Sequence, residues 1–104
     1  MIVAAPPPAR VQVVAQEFSF ALSRRTIKAG EAIVELVNNG QDSHDLRMQR
    51  VGGSRVYTWP TVLPGRYADR EYRLLPGTYV LWCSLANHRQ LGMTATLVVR
   101  RFSG

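Results

Sequence analysis

Turn signals recur along this chain at intervals of about ten residues, and that rhythm constrains the fold more than any other feature. Ala29-Gly30, Asn38-Asn39-Gly40 and Pro76-Gly77 separate segments rich in β-branched and aromatic residues. Residues 11–15, 18–21, 32–37, 44–49 and 69–74 read as strands, with Glu17 at a bend between the first two. Residues 78–84 and 93–101 are the two strongest strands. No segment keeps a 3.6-residue apolar period for three turns, so no helix is predicted. Residues 51–67 hold three Gly and two Pro and read as a loop or irregular crossover, with room for a short helical turn. Lys28-Ala29-Gly30 and Leu75-Pro76-Gly77 each lead into an apolar run, which reads as two similar hairpins. The fold class is all-β, with two packed sheets.

The 104 residues suit one compact domain. An apolar fraction of 46% with 19% charged residues excludes a disordered or fibrous chain. No apolar run approaches the ~20 residues that cross a bilayer as a helix. Residues 1–9 read as a flexible N-terminal tail, polyproline-like at Pro6-Pro7-Pro8, and 10–104 as the domain. Residues 1–5 are too short for a secretory signal. The expectation is that a targeting or tether segment precedes this tail in the native precursor, which places the protein in the periplasm or elsewhere outside the cytoplasm.

The net charge is +6, and twelve of the thirteen basic residues are arginine. Scattered arginines of this kind make a solvated basic surface, or steer the molecule toward an acidic partner or an anionic membrane. Only Arg24-Arg25 and Arg100-Arg101 are adjacent, and no RNA- or zinc-finger pattern accompanies them, so nucleic acid is not the expected partner.

The chemistry concentrates in one stretch, Cys83-Ser-Leu-Ala-Asn-His88-Arg-Gln-Leu-Gly-Met93, which reads C-x4-H-x4-M between the two best strands. Thiolate, imidazole and thioether together favour copper. A trigonal plane of two His and one Cys with a weak axial Met is the electron-transfer copper geometry. That plane needs a second histidine, and the chain has one other, His44, just beyond the Asn39-Gly40 turn. A lone Cys forms no internal disulfide and by itself is more often an inert core thiol. Here the only Cys and the only two His stand in one pattern, with Met93 following.

These residues carry a resemblance. Leu36-Val-Asn-Asn-Gly-Gln-Asp-Ser-His44-Asp-Leu-Arg-Met resembles the first-histidine motif of the cupredoxins, the type 1 (blue) copper proteins. Tyr79-Val-Leu-Trp-Cys83 through Gly92-Met93-Thr-Ala-Thr-Leu-Val-Val resembles their ligand loop and last strand. The Cys–His spacing is most similar to rusticyanin, sulfocyanin and multicopper-oxidase type 1 loops. The resemblance implies a Greek-key β-sandwich of about 7–8 strands holding one copper ion, Cu(I)/Cu(II). It implies His44, Cys83 and His88 as equatorial ligands and Met93 as the axial one, with the Ser43 carbonyl near the opposite axial position. Asp45 and Ser84 fall where the family often ties its two ligand loops by a hydrogen bond. An ionised Asp45 not offset by an arginine favours Cu(II). Ala86-Asn87 replaces the family's frequent Pro-Gly. Asn87 is then the residue expected to take positive φ, and the amide of residue 86 becomes available to the Cys83 sulfur.

The function implied is a one-electron carrier between redox partners such as a cytochrome, an oxidase or another copper protein, working as a monomer. The same ligands would serve copper storage or delivery in the periplasm. Oxidase chemistry is not expected, because Cys83 is flanked by Trp82 and Ser84 rather than by histidines. A dinuclear purple centre needs two Cys. Met48 reads as core or surface, Trp59 as cover for the sandwich. Trp82 reads as packing on the strand face opposite Cys83, with a second electron route as the alternative.

Overall fold

The computed structural model describes residues 6–101. They form nine strands: β1 (Ala9–Gln16), β2 (Ser19–Leu22), β3 (Thr26–Lys28), β4 (Gly30–Asn38), β5 (His44–Arg50), β6 (Val56–Val62), β7 (Tyr67–Leu74), β8 (Gly77–Trp82) and β9 (Thr94–Arg100). One sheet has the order β2-β1-β4-β7 and the other β3-β9-β8-β5-β6. The pairs β1–β4 and β3–β9 are parallel and the remainder antiparallel. The all-β sandwich expected from the turn rhythm is therefore present, with β3 beyond the seven or eight strands expected. Residues 1–5 of the expected tail lie outside the described residues, and Ala9 opens β1.

Alternation decides what lies between the sheets. Val11, Val13 and Ala15 from β1 and Ala32, Val34 and Leu36 from β4 point inward from one sheet. Leu46, Met48, Tyr79, Leu81, Leu97 and Val99 meet them from the other. Each fully buried Val or Leu contributes about 1.5–3 kcal/mol. Met48 belongs to this core.

The region 51–67 departs from the sequence reading, because it contains β6 and the start of β7. Proline argues against a central strand, but β6 is an edge strand, where the missing N–H faces away from the ladder. His44 pairs with Val62 and Leu46 with Trp59, so three steps on β6 match two on β5. Pro60 and Thr61 occupy that bulge, both exposed. A bulge bends the strand and re-aims its neighbours. Opposite it, His44, Asp45 and Leu46 are buried in succession and the normal alternation fails. Trp59 is core rather than cover: it is 2% exposed, and its Nε1 donates to the Val34 carbonyl of the opposite sheet at 3.0 Å.

The two expected hairpins are sheet crossovers. β3 and β4 lie in different sheets, as do β7 and β8. Gly30 and Gly77 take φ of 111° and 152°, which let the chain leave one sheet and enter the other within two or three residues. The sequence signal was the same as for a hairpin because both need a turn followed by a strand.

Candidate metal centre

Three connections meet at one end of the sandwich: the β1–β2 turn, the β4–β5 loop and the β8–β9 loop. The β4–β5 loop is held from inside by Asn38, whose side chain is fully buried. Its Nδ2 donates to the carbonyls of Asp42 at 2.8 Å and Val62 at 2.9 Å, and its Oδ1 accepts from Gly40 N at 2.8 Å. That loop delivers His44 at the first position of β5. The β8–β9 loop closes on itself at its neck. Cys83 N donates to Met93 O at 3.3 Å, and Met93 N donates to His88 O at 3.1 Å. Backbone bonds thus link three of the four sequence-predicted ligands.

His44, Cys83 and His88 converge: one donor atom from each lies within 4.8 Å of the others. Cys83 Sγ is 3.6 Å from His88 Nδ1, and the two imidazole centroids are 5.1 Å apart. His44, Cys83 and Met93 are 0% exposed and His88 is 9% exposed. Met93 lies near His44. Phe18, from the β1–β2 turn, packs on His88 with ring centroids 4.8 Å apart.

Burial pushes the Cys83 thiol above its ordinary range, against N–H groups of Asp45 and Leu85 that draw it down. Those amides, rather than that of residue 86, face the sulfur. Positive φ falls on Ala86, at 45°, and not on Asn87. His44 Nδ1 is a buried nitrogen with no hydrogen-bond partner. Leaving such a group unsatisfied costs about 1–3 kcal/mol. A soft cation between thiolate and imidazole donors satisfies it, and metal coordination deprotonates the thiol outright. The residues present therefore fit the copper ion that the ligand pattern implies.

The predicted Asp45–Ser84 tie is formed. Ser84 N donates to Asp45 Oδ1 at 2.7 Å and Ser84 Oγ donates to Oδ2. Arg47 Nε stands 3.5 Å from the same Oδ2, so an arginine partly offsets this charge.

Sequence reasoning missed Glu17 and Asn38. Glu17 Oε1 accepts from Gln41 N at 2.7 Å and from Asp42 N at 2.6 Å, and it stands 3.1 Å from His44 Nε2. The Asp42 amide bond leads in holding the Glu17 carboxyl below its ordinary range. Glu17 and His44 are 27 positions apart, and only the parallel β1–β4 pairing brings them together. Asn38 read as a turn former, and its burial had no sequence signal.

The sequence matches no family model, and no curated protein matches it. Among solved structures it is similar to auracyanin from Roseiflexus castenholzii, at TM-score 0.72 and 15% identity over 91% of this chain and 99% of that one. It is similar to auracyanin A, a "blue" copper protein from Chloroflexus aurantiacus, at TM-score 0.73 and 16% identity over 90% and 100%. A copper-containing nitrite reductase from Thermus scotoductus matches at TM-score 0.60 and 23% identity over 96% of this chain but 24% of the reductase. The fold is that of the cupredoxins. In this chain it carries a buried His44–Cys83–His88 cluster at its loop end, consistent with a blue copper site.

Proposed function

We propose that this chain is a one-electron carrier that holds a single copper ion between His44, Cys83 and His88, with Met93 as the weaker fourth donor. The observation that carries the reading is the buried His–Cys–His cluster with an unpartnered His44 Nδ1. Bound copper would supply a reversible Cu(I)/Cu(II) couple to which thiolate, imidazole and thioether are all suited. The chain's own part is to close the ligands off from water on packed strands and on a loop tied at its neck.

His88 is the only member of the set with any solvent exposure, at 9%, so its ring edge is the route for the electron to solvent. Phe18, Leu85 and Leu91 make an apolar rim beside it, suited to brief docking. Arg89 lies over the Trp82 ring, 4.6 Å from its centroid, and Arg47 pairs with Trp82 across the strands. This basic surface next to Cys83 favours an acidic redox protein as partner. The role is non-enzymatic: the chain has two His in all, both in the cluster, which leaves none for a second metal. Work as a monomer outside the cytoplasm completes the proposal.

Storage or delivery with the same ligands requires an open, exchangeable site, and full burial of His44, Cys83 and Met93 argues against it. A visible spectrum after Cu(II) addition, followed by redox titration, tests the reading. One equivalent of copper, an intense band lost in Cys83→Ala, and reversible one-electron cycling are expected. A band that persists in Cys83→Ala, or a site that does not cycle, overturns it.

A further inference from the structure

The β1–β2 turn brings a carboxylate to the far side of the His44 ring. Gln16 pairs with Ser19, so Glu17 and Phe18 are the two turn residues. Phe18 packs on His88 and Glu17 reaches His44. The His44 side chain is fully buried, whereas that of Glu17 is 28% exposed. An ionised carboxylate has no proton to give, so the ring nitrogen facing it is the donor. A neutral ring that carries its proton on Nε2 keeps Nδ1 free. Nδ1 is the buried nitrogen left without a hydrogen-bond partner, on a ring that has a donor atom within 4.8 Å of those of Cys83 and His88.

The neighbouring loop is built around this carboxylate. A Cβ at position 40 would overlap the Glu17 carboxylate group. Gly40 is not in the left-handed region, so what its glycine supplies is clearance rather than backbone freedom. His88 has no equivalent support: its Nε2 stands 4.0 Å from Asp42 Oδ2, on a side chain that is itself 53% exposed.

We propose that Glu17 is a positioning residue for the metal centre, locking His44 in the Nε2–H tautomer with Nδ1 free to ligate, and favouring Cu(II) over Cu(I) through its negative charge. The second half rests on the copper reading given above; the first half does not. Partners of this kind orient a ligating histidine and raise its basicity, and their loss typically costs 10–100-fold in metal affinity. A carboxylate charge acts more strongly on the dication. Each tenfold loss confined to Cu(II) raises the reduction potential by about 59 mV for a one-electron couple.

The competing role is structural, in which Glu17 only caps the Gln41 and Asp42 amides. Glu17→Gln keeps an acceptor for those amides and removes the charge. Glu17→Ala removes both, and Gly40→Ala pushes the carboxylate away. Glu31→Gln, which breaks an exposed 3.2 Å pair with Arg73, controls for net charge. Imidazole ¹⁵N shifts of His44 in the copper-free protein at pH 8 report the tautomer, and a redox titration of the copper form reports the potential. We expect the Nε2–H tautomer in wild type and Glu17→Gln, and mixed tautomers in Glu17→Ala and Gly40→Ala. We expect Cu(II) affinity to fall at least tenfold in Glu17→Ala, and a raised potential in Glu17→Gln but not in Glu31→Gln. A wild-type tautomer in Glu17→Ala, or a Glu17→Gln potential no higher than that of Glu31→Gln, overturns the proposal. Failure of wild type to form a reversible copper site would sink the carrier reading, while the copper-free tautomers still judge Glu17.

Discussion

The Asp45 carboxylate accepts two hydrogen bonds from one residue, the amide and the hydroxyl of Ser84, and so joins the strand of His44 to the loop of Cys83. The segments that carry His44 and Cys83 are thereby held together by the fold itself. Ser84→Ala removes the hydroxyl bond and should cost about 1.5–3 kcal/mol, as for a bond to a charged group. Asp45→Asn keeps the shape and loses the charge, and should raise the reduction potential. Chemical denaturation of the metal-free protein and redox titration of the copper form check the two halves.

Asn38 satisfies two carbonyls and one amide from inside the protein. Asn38→Ala strands the Val62 carbonyl and frees the loop before His44. A loss of roughly 2–3 kcal/mol is expected, since leaving a buried polar group unpaired costs about 1–3 kcal/mol. Hydrogen exchange should show faster opening at Gly40, whose amide loses its acceptor.

Ala86 holds a left-handed φ of 45° within the ligand loop. A side chain in that region costs about 1–2 kcal/mol, part of which glycine gives back through its freer unfolded chain. Ala86→Gly should therefore stabilise the fold by about 0.5–1 kcal/mol. The melting temperature measures it, and the visible band should keep its position because no ligand moves.

Asp69 on β7 sits directly opposite Glu35 on β4, and its carboxyl is raised above its ordinary range, chiefly by burial and then by Glu35. A raised carboxyl binds its proton more tightly in the folded state than in the unfolded one. Its contribution is therefore favourable below the unfolded pKa and is lost as pH rises through the folded pKa. Asp69→Asn should raise stability at pH 7 by about 0.5 kcal/mol or less, because the pair is largely solvated. The gain should shrink as pH falls through the raised folded pKa and vanish once pH is below the unfolded value. A pH series of denaturation midpoints for the two proteins checks the sign.

Local chemistry made part of this molecule legible. The donor types in Cys83-x4-His88-x4-Met93 do not depend on what surrounds them, and period-two patterns mark β1, β4, β8 and β9 directly. His44 could be assigned because the chain offers no other second histidine. The Asp45–Ser84 tie was legible only through the resemblance of both loops to a known pattern.

What tertiary structure decided was everything set by neighbours distant in sequence. β6 is a strand because an edge position tolerates Pro60 and the bulge opposite Asp45 absorbs it. Gly30 and Gly77 mark crossovers, not hairpins, because strand destinations are set by which sheet buries each apolar face. The strained loop residue is Ala86 rather than Asn87, because loop closure, not residue preference, places the turn. The Cys83-x4-His88-x4-Met93 spacing and the single further histidine, His44, were thus legible in the sequence alone. The burial that orphans His44 Nδ1, and the Glu17 carboxylate that selects it, exist only once β1 has paired with β4 and carried its turn across the site.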